Sequence, residues 1–589
     1  MKVLFITHHF GCLRNFDSAI AALADRGHAV HLAAIQREAQ GGEELVRRLA
    51  ERRDSVTYGW TPSVELHRFR TAQERFRLGL DYLRYLDETY AGAPRLRARA
   101  WERAPRGLLW LLRVPGASRQ AARRVLAAGL RAVERALPIE TGIRSFLDGH
   151  APDIVLFTPL IGLGSPEVEY LSAARRMGLR TLFAVWSWDN LSSKSLLRDM
   201  PDAVTVWNDT QKREAIDLHN VPPDRVLVTG AQCFDRWFGR QPTRTRQAFC
   251  TDMGLPADRP FVLYVCSALF RGSPSEAAFV RRWINAVRSN PSADLRDMPI
   301  LVRPHPSRLG EWDGAGVDEI PAVRLWGSNP VTAEARDDYF DSLYWANAVV
   351  GLNTSAMIEA AILERPVLTI LLPEFQESQE GTLHFRYLLD ATHGLLHASH
   401  SLEEHVGQLA AVLASRENAV ARSRAFVSHF VRPLGLDVSG TSRFVDVVER
   451  VACAHAEAAD SPPARLAVLT ARVLMASSGR WPVTSLLRGP REQDEHARRQ
   501  AELAENRRQE IRRLVGRRWR KAVSLPSRFI GERRLKAERR RERAARRREK
   551  RRRLATARHQ RLRAAITARL RRVVGARQPI EPASRGGPS

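Results

Sequence analysis

Near its start the chain carries KVLFIT (2–7), a continuous apolar run that ends against two histidines. A strand with no polar alternation is buried on both faces, which is the condition of a parallel sheet covered by helices. The same signature recurs at AVHLAAI (29–35), DIVLFT (153–158), RTLFAVW (180–186), AVTVW (203–207) and RVLVTG (225–230). A second series follows at FVLYVC (261–266), ILVRP (300–304), AVRLWG (322–327), AVVGLN (348–353) and PVLTILL (366–372). Helix-sized segments separate the runs. In the first of them Ile20, Leu23 and Ala24 share one face and Gly27 suits a helix C-cap, so residues 2–35 predict a βαβ unit.

Two consecutive series of this kind predict an α/β protein with two Rossmann-like domains facing across a cleft. The expected boundaries are 1–238, with an Arg/Leu/Ala-rich helical insertion at about 65–145, then 239–458, then a basic helical or disordered tail over 459–589.

The net charge of +28 suggests nucleic acid until its distribution is considered. Residues 501–589 hold 31 Lys and Arg against 8 Asp and Glu, leaving 62 against 57 in the other 500 residues. The basic object is the tail. The five cysteines are scattered and form no C-x-x-C pair, which suits a reducing cytoplasm and argues against a structural zinc. The apolar run of MKVLFITHHF is short for a signal peptide, and no window approaches the ~20 apolar residues of a membrane span. The expected location is the cytoplasm, with peripheral attachment to the inner face of the membrane.

Ligands of open parallel sheets bind beyond the carboxyl ends of the strands. In GLNTSAMIEAAILERPVLTI (351–370), Asn353, Thr354 and Ser355 follow a strand and open a helix, a seat for a phosphate or equally a plain cap. Glu359 lies within that helix, where a carboxylate can accept from ribose or sugar hydroxyls. The strand end LVRPHPS brings Arg303 and His305, suited to phosphate. After the first strand, THHFGCLRNF lacks G-x-G-x-x-G, which disfavours NAD or FAD, and offers His8 or His9 as a general base. In AVWSWDNLSSKS, Trp186 and Trp188 are candidates to stack on an acceptor with Asn190 beside them, and Asp189 is a candidate proton acceptor. The alternative is tryptophans packed between layers and an Asx turn at Asp189-Asn190.

Taken together, HHFGCLRNF, VTGAQCFD, RPHP and GLNTSAMIEAAILERPVL resemble the GT-B glycosyltransferase superfamily over roughly residues 1–450. The likeness is to its bacterial branch near CDP-glycerol glycerophosphotransferases and UDP-N-acetylglucosamine 2-epimerases. The resemblance implies a nucleotide-sugar donor on the second domain, held by Arg303, His305, Asn353, Thr354, Ser355 and Glu359. It implies an acceptor on the first domain but fixes no base there; on the residues alone, Trp186, Trp188 and Asn190 are the acceptor candidates and His9 and Asp189 the catalytic ones. No cofactor and no metal are expected. The acceptor would be an envelope polysaccharide or a lipid-linked molecule. A CDP-polyol phosphotransferase is the rival enzyme, an epimerase a weaker one, and a non-catalytic scaffold the rival of another class.

From Arg533 to Arg553 the tail is charged all round a helix, and Leu554, Leu562, Ile566, Leu570 and Val573 then recur at near-helical spacing. A basic amphipathic stretch over 531–577 predicts an anionic membrane partner ahead of nucleic acid; a plain solubilising extension is the third reading.

Overall fold

The structure, a computed structural model, describes residues 1–38, 41–62, 70–116, 119–270, 272–330, 332–454, 465–477, 489–490, 534 and 536–556. The chain forms two compact units, Met1–Glu492 and Gln493–Ser589.

The first unit contains two parallel sheets. One has seven strands: β1 (Lys2–Thr7), β2 (Ala29–Ala34), β3 (Val56–Trp60), β4 (Ile154–Thr158), β5 (Arg180–Ala184), β6 (Ala203–Val206) and β7 (Val226–Val228), in the order β3-β2-β1-β4-β5-β6-β7. The other has six: β8 (Val262–Val265), β9 (Ile300–Arg303), β10 (Val323–Leu325), β11 (Ala348–Val350), β12 (Val367–Ile370) and β13 (His397–Ser399), in the order β10-β9-β8-β11-β12-β13. In both, the chain starts mid-sheet and winds outward in opposite directions. Loops after β1 and β4, and after β8 and β11, therefore diverge and open a crevice. These are the two expected Rossmann-like domains.

Burial on both faces explains the apolar runs. Val3 and Phe5 pack with Ile20, Leu23, Phe444 and Val448 on one side of β1. Leu4 and Ile6 pack with Ile143, Leu147 and Leu171 on the other. Two edge strands escape the sequence pattern: β3 (VTYGW) and β13 (HAS) are only partly buried and carry no continuous apolar run. The helical insertion is present as Arg70–Arg84, Pro94–Trp101, Arg106–Leu111 and Gln120–Ala136.

One boundary differs from expectation. The helix Gly440–Cys453, which follows the second series in sequence, lays Phe444, Val445, Val448 and Val451 on the first sheet. The second domain thus ends near Val431 and the chain crosses back. At the junction a shared core joins Trp188, Trp207 and Phe234 to Phe340, Phe385 and Phe430.

In the second unit the described residues 536–556 are helical, with every side chain exposed. That is the solvated helix the charge pattern predicts; Leu562, Ile566, Leu570 and Val573 lie outside the described residues. Among the described residues, no helix is long and apolar enough to cross a membrane.

Candidate active-site cleft

β1 ends at Thr7, and the loop beyond it carries His8 and His9 to the edge where β1 and β4 part. The loop after β4 returns through Ser165 to the helix Glu167–Arg176, whose first residue is almost wholly buried. His8 Nδ1 lies 3.2 Å from Glu167 Oε1, and Ser165 Oγ donates to the other carboxylate oxygen. A carboxylate partner requires the proton on Nδ1, which leaves Nε2 as the basic atom of a partly exposed ring. The Glu167 hydrogen bond raises the His8 pKa above that of a free imidazole, burial opposing it. Among the described residues His9 has no such partner: burial and then the neighbouring His8 lower its pKa, and its ring rests against Cys12 Sγ at 3.7 Å. Of the two histidines, His8 is the one oriented for proton transfer.

The segment after β5 is folded inward. Trp188 is 7% exposed and packs edge-on against His384 with ring centroids 4.7 Å apart. Trp186 packs against the first-domain core, and its carbonyl accepts from Asn15 Nδ2 at 2.7 Å. Asn190 is fully buried, with Oδ1 turned back to the Trp186 N–H at 3.4 Å. Asp189 accepts from Ser187 Oγ at 2.5 Å, Ser193 Oγ at 2.9 Å and Lys194 Nζ at 2.7 Å. Burial works against its charge, yet Lys194 and these donors hold the carboxyl well below the usual range. A carboxylate so stabilised is a poor base. The segment therefore braces the domain junction, with Trp188 covered and Trp186 partly exposed.

On the second domain, β9 delivers Arg303 to a buried position where Nη1 donates to Asp338 Oδ2 at 3.0 Å and the guanidinium lies over the Tyr339 ring. Asp338 also accepts from Trp326 Nε1 at 2.8 Å and from Arg244 Nη2 at 2.8 Å. Tyr339 OH donates to Glu359, a partly buried carboxyl pushed up to about 7 by desolvation, with Tyr339, Arg236 and Arg14 opposing. Arg303 thus supports the wall of the site through Asp338 and is not a free cation. The wall borders a cavity of about 690 Å³ lined by Arg244, Trp326, Gly327, Ser328, Thr332 and Asp338, among others. Ligand pockets commonly fall at about 300–1,000 Å³. Trp326, 42% exposed, presents its ring there.

His305 caps its own turn, Nδ1 accepting from the Ser307 N–H at 3.2 Å, so its Nε2 carries the proton. Burial, then Arg14 and Arg308, lower its pKa and keep it neutral. Asn353 donates through Nδ2 to the Ser378 carbonyl at 2.5 Å, a structural tie. Thr354 Oγ1 accepts weakly from the Ala356 N–H at 3.4 Å, and Ser355 is exposed at the mouth of the short helix Ala356–Ile362.

Arg14 connects the two sides. It stands after β1 on the first domain, yet its charge acts on both His305 and Glu359 of the second. The cleft therefore gathers His8, His9, Arg14, Arg236, His305, Ser355 and Glu359, with the Trp326 cavity beside Arg303 and Tyr339. Sequence reasoning missed Glu167, Trp326, Asp338 and Tyr339. Only Trp326 carried a local signal, an aromatic directly beyond a strand end. Among the described residues, no cluster of three or more His, Cys, Asp or Glu side chains could hold a metal.

No family model and no curated protein matches the chain. Solved structures similar to it include the UDP-GlcNAc 2-epimerase of Methanocaldococcus jannaschii, at 10% identity and TM-score 0.45, covering 76% of this chain and 100% of that one. A glycosyltransferase of Rickettsia africae aligns at 10% identity and TM-score 0.43, over 76% and 98%. WaaG, a glycosyltransferase of lipopolysaccharide biosynthesis, aligns at 13% identity and TM-score 0.40, over 76% and 99%.

Proposed function

We propose that this protein is a transferase that moves a sugar, or a sugar-like group, from a nucleotide-activated donor to a hydroxyl acceptor. The reading is supported by an oriented imidazole, His8, at a strand end of the first domain, by an aromatic, hydrogen-bonding cavity on the second, and by the charge of Arg14 of the first domain acting on His305 and Glu359 of the second. The nucleotide base stacks on Trp326, and Ser355 and Glu359 face the sugar and its phosphates. Glu359, its carboxyl pushed up to about 7, donates or accepts as the sugar hydroxyls require.

His8 Nε2 takes the proton of the acceptor hydroxyl as that oxygen bonds to the donor carbon and the carbon–phosphate-oxygen bond breaks. Glu167 holds the ring and stabilises the imidazolium, the role a buried carboxylate plays behind a catalytic histidine. The leaving diphosphate gathers negative charge, and Arg14 and Arg236 are the cations nearest to receive it.

The acceptor we assign is lipid-linked or an envelope polysaccharide, approached at an anionic membrane from the cytoplasmic side. The exposed face of the helical insertion supports this: Trp110 is 70% and Val125 72% exposed, interleaved with exposed Arg106, Arg113, Arg119 and Arg124. Aromatic residues among arginines suit the headgroup layer of an anionic bilayer.

Calorimetry of the full chain against UDP, GDP, CDP, CMP and their sugar or glycerol conjugates tests the donor. Binding of one diphosphate nucleotide, lost in Trp326→Ala and retained in His8→Ala, supports the reading. Preference for CMP with CDP-glycerol would instead favour a polyol phosphotransferase. Silence across the panel would favour a scaffold.

A further inference from the structure

The helical insertion is fastened to the first domain and only leans on the second. Arg84, 8% exposed, donates to Tyr90 OH at 2.7 Å, to the Leu191 carbonyl at 2.8 Å and to the Ser195 carbonyl. Buried Tyr85 donates to the Lys194 carbonyl, and Arg99 to that of Ser193. Insertion side chains thus hold four carbonyls of the segment after β5. Bonds made by a buried guanidinium are not released without stranding a charge.

The same stretch of the insertion reaches the second domain by weaker means. Tyr85, Tyr90 and Leu96 form a small apolar cluster against which Phe270 and Leu383 pack, both partly buried. Next to Leu96 in sequence, Arg95 pairs with Glu377, each about half exposed. The Arg386 guanidinium lies against Gly92, where a Cβ would meet Nη2 at 2.7 Å. Exposed ion pairs contribute little, and contacts with few buried apolar groups open readily. On this footing the insertion moves with the first domain and parts from the second.

What it touches there is the carboxyl edge of the second sheet. Phe270 lies in the loop after β8, and Glu377 in the turn Pro373–Ser378 after β12. The Ser378 carbonyl accepts from Asn353 Nδ2 at 2.5 Å, and Ser378 Oγ stands 3.3 Å from Ser273 Oγ. The Asn353 N–H donates to Ser267 Oγ at 3.0 Å. The loops that follow β8, β11 and β12 are thus tied together, and the insertion rests on two of them.

We propose that the insertion is a strap across the cleft, latched to the second domain by the Arg95–Glu377 pair and by Phe270 and Leu383, and that release of this latch opens the cleft. Latching steadies the loops that present Asn353 and Ser355, so a closed strap and an ordered site go together.

The test is a spin-label distance measurement across the mouth of the cleft in the full chain. No nucleotide is added, so the outcome is independent of the donor reading. Cys453 is replaced by serine, the other four cysteines being buried, and labels are attached at Arg48→Cys and Glu334→Cys. Arg48 of the first domain acts through its charge on Glu334 of the second, which sets the two positions across the mouth. The expected result is a single narrow distance population. Glu377→Arg, which opposes two arginines, should move it to longer distance, and the swap Arg95→Glu with Glu377→Arg should return it. Leu383→Ser should lengthen the distance as well, and quicken amide exchange in the helix Pro94–Trp101 about tenfold while that of Arg70–Arg84 stays unchanged. A distance unmoved by Glu377→Arg and Leu383→Ser, or a swap as open as Glu377→Arg alone, overturns the strap.

Discussion

Asp235 Oδ2 accepts the backbone N–H of Thr441 at 2.6 Å, joining positions 206 residues apart. The same carboxylate takes Ser439 Oγ at 2.8 Å, the Gly440 N–H at 3.3 Å and Arg432 Nη2 at 2.8 Å. It thus caps the helix Gly440–Cys453 from outside that helix and fixes the point where the chain returns to the first sheet. Asp235→Ala is expected to cost about 2–4 kcal/mol, because it strands several donors and one guanidinium at once. Denaturant unfolding checks this. A loss below about 0.5 kcal/mol would show that water replaces the carboxylate.

His8→Ala should lower kcat by about 10²- to 10⁴-fold while leaving donor affinity in place. Glu167→Gln gives the more telling result. The Glu167 hydrogen bond raises the His8 pKa, so its removal should move the acid limb of the kcat/KM profile to lower pH while lowering the maximum. An unmoved limb would mean that another group titrates.

Gly327 sits at φ +118°, and a Cβ there would lie 2.6 Å from Arg303 Cζ. Alanine must therefore displace the guanidinium from Asp338 and disturb Trp326 with it. Gly327→Ala should weaken donor binding at least tenfold, against little change in a Gly310→Ala control, where a Cβ meets open space. Calorimetry with the nucleotide found above measures both.

Glu214 is buried at the domain junction, accepting from Tyr387 OH at 2.7 Å, and burial pushes it up to about 7 despite Tyr387, Ser192 and Arg84. A carboxyl raised in the folded state contributes stability that is complete below its unfolded pKa, about 4.5, and is lost as pH rises through 7. Glu214→Gln should leave stability at pH 5 nearly unchanged and raise it by about 1–3 kcal/mol at pH 8. Unfolding midpoints at the two pH values decide it; equal effects at both would rule out titration of this group.

Removal of residues 490–589 should abolish sedimentation with phosphatidylglycerol vesicles at low salt, and Trp110→Ser should weaken what the insertion contributes. Retention by the truncated protein, lost only on adding Trp110→Ser, would move the anchor from the tail to the insertion.

The sheets were legible because burial on both faces writes itself as unbroken apolar runs; β3 and β13, half-covered at the edges, leave no such trace. Strand ends were legible too, so the His8–His9 loop and the Glu359 helix were found. What stayed hidden was pairing. That Arg303 is engaged by Asp338, Asp189 by Lys194, and His8 by Glu167 follows from contacts between segments 5 to 159 residues apart. A charged residue beyond a strand reads the same in sequence whether its partner is a ligand or another side chain. Trp188 illustrates the converse: an aromatic at a strand end was filled by the junction core, because the second domain supplied His384 to cover it.

The two passages of the chain between the domains run side by side. Gly230 and Ala231 leave the first sheet next to Val431, whose carbonyl accepts the Ala231 N–H at 2.9 Å. Paired crossings at one spot leave the lobes a single axis of rotation and resist shear or twist along the mouth. Opening of the cleft then amounts to one angle, and a cross-link from Gly230 to Val431, the last residue of the π-helix Val427–Val431, would stiffen it.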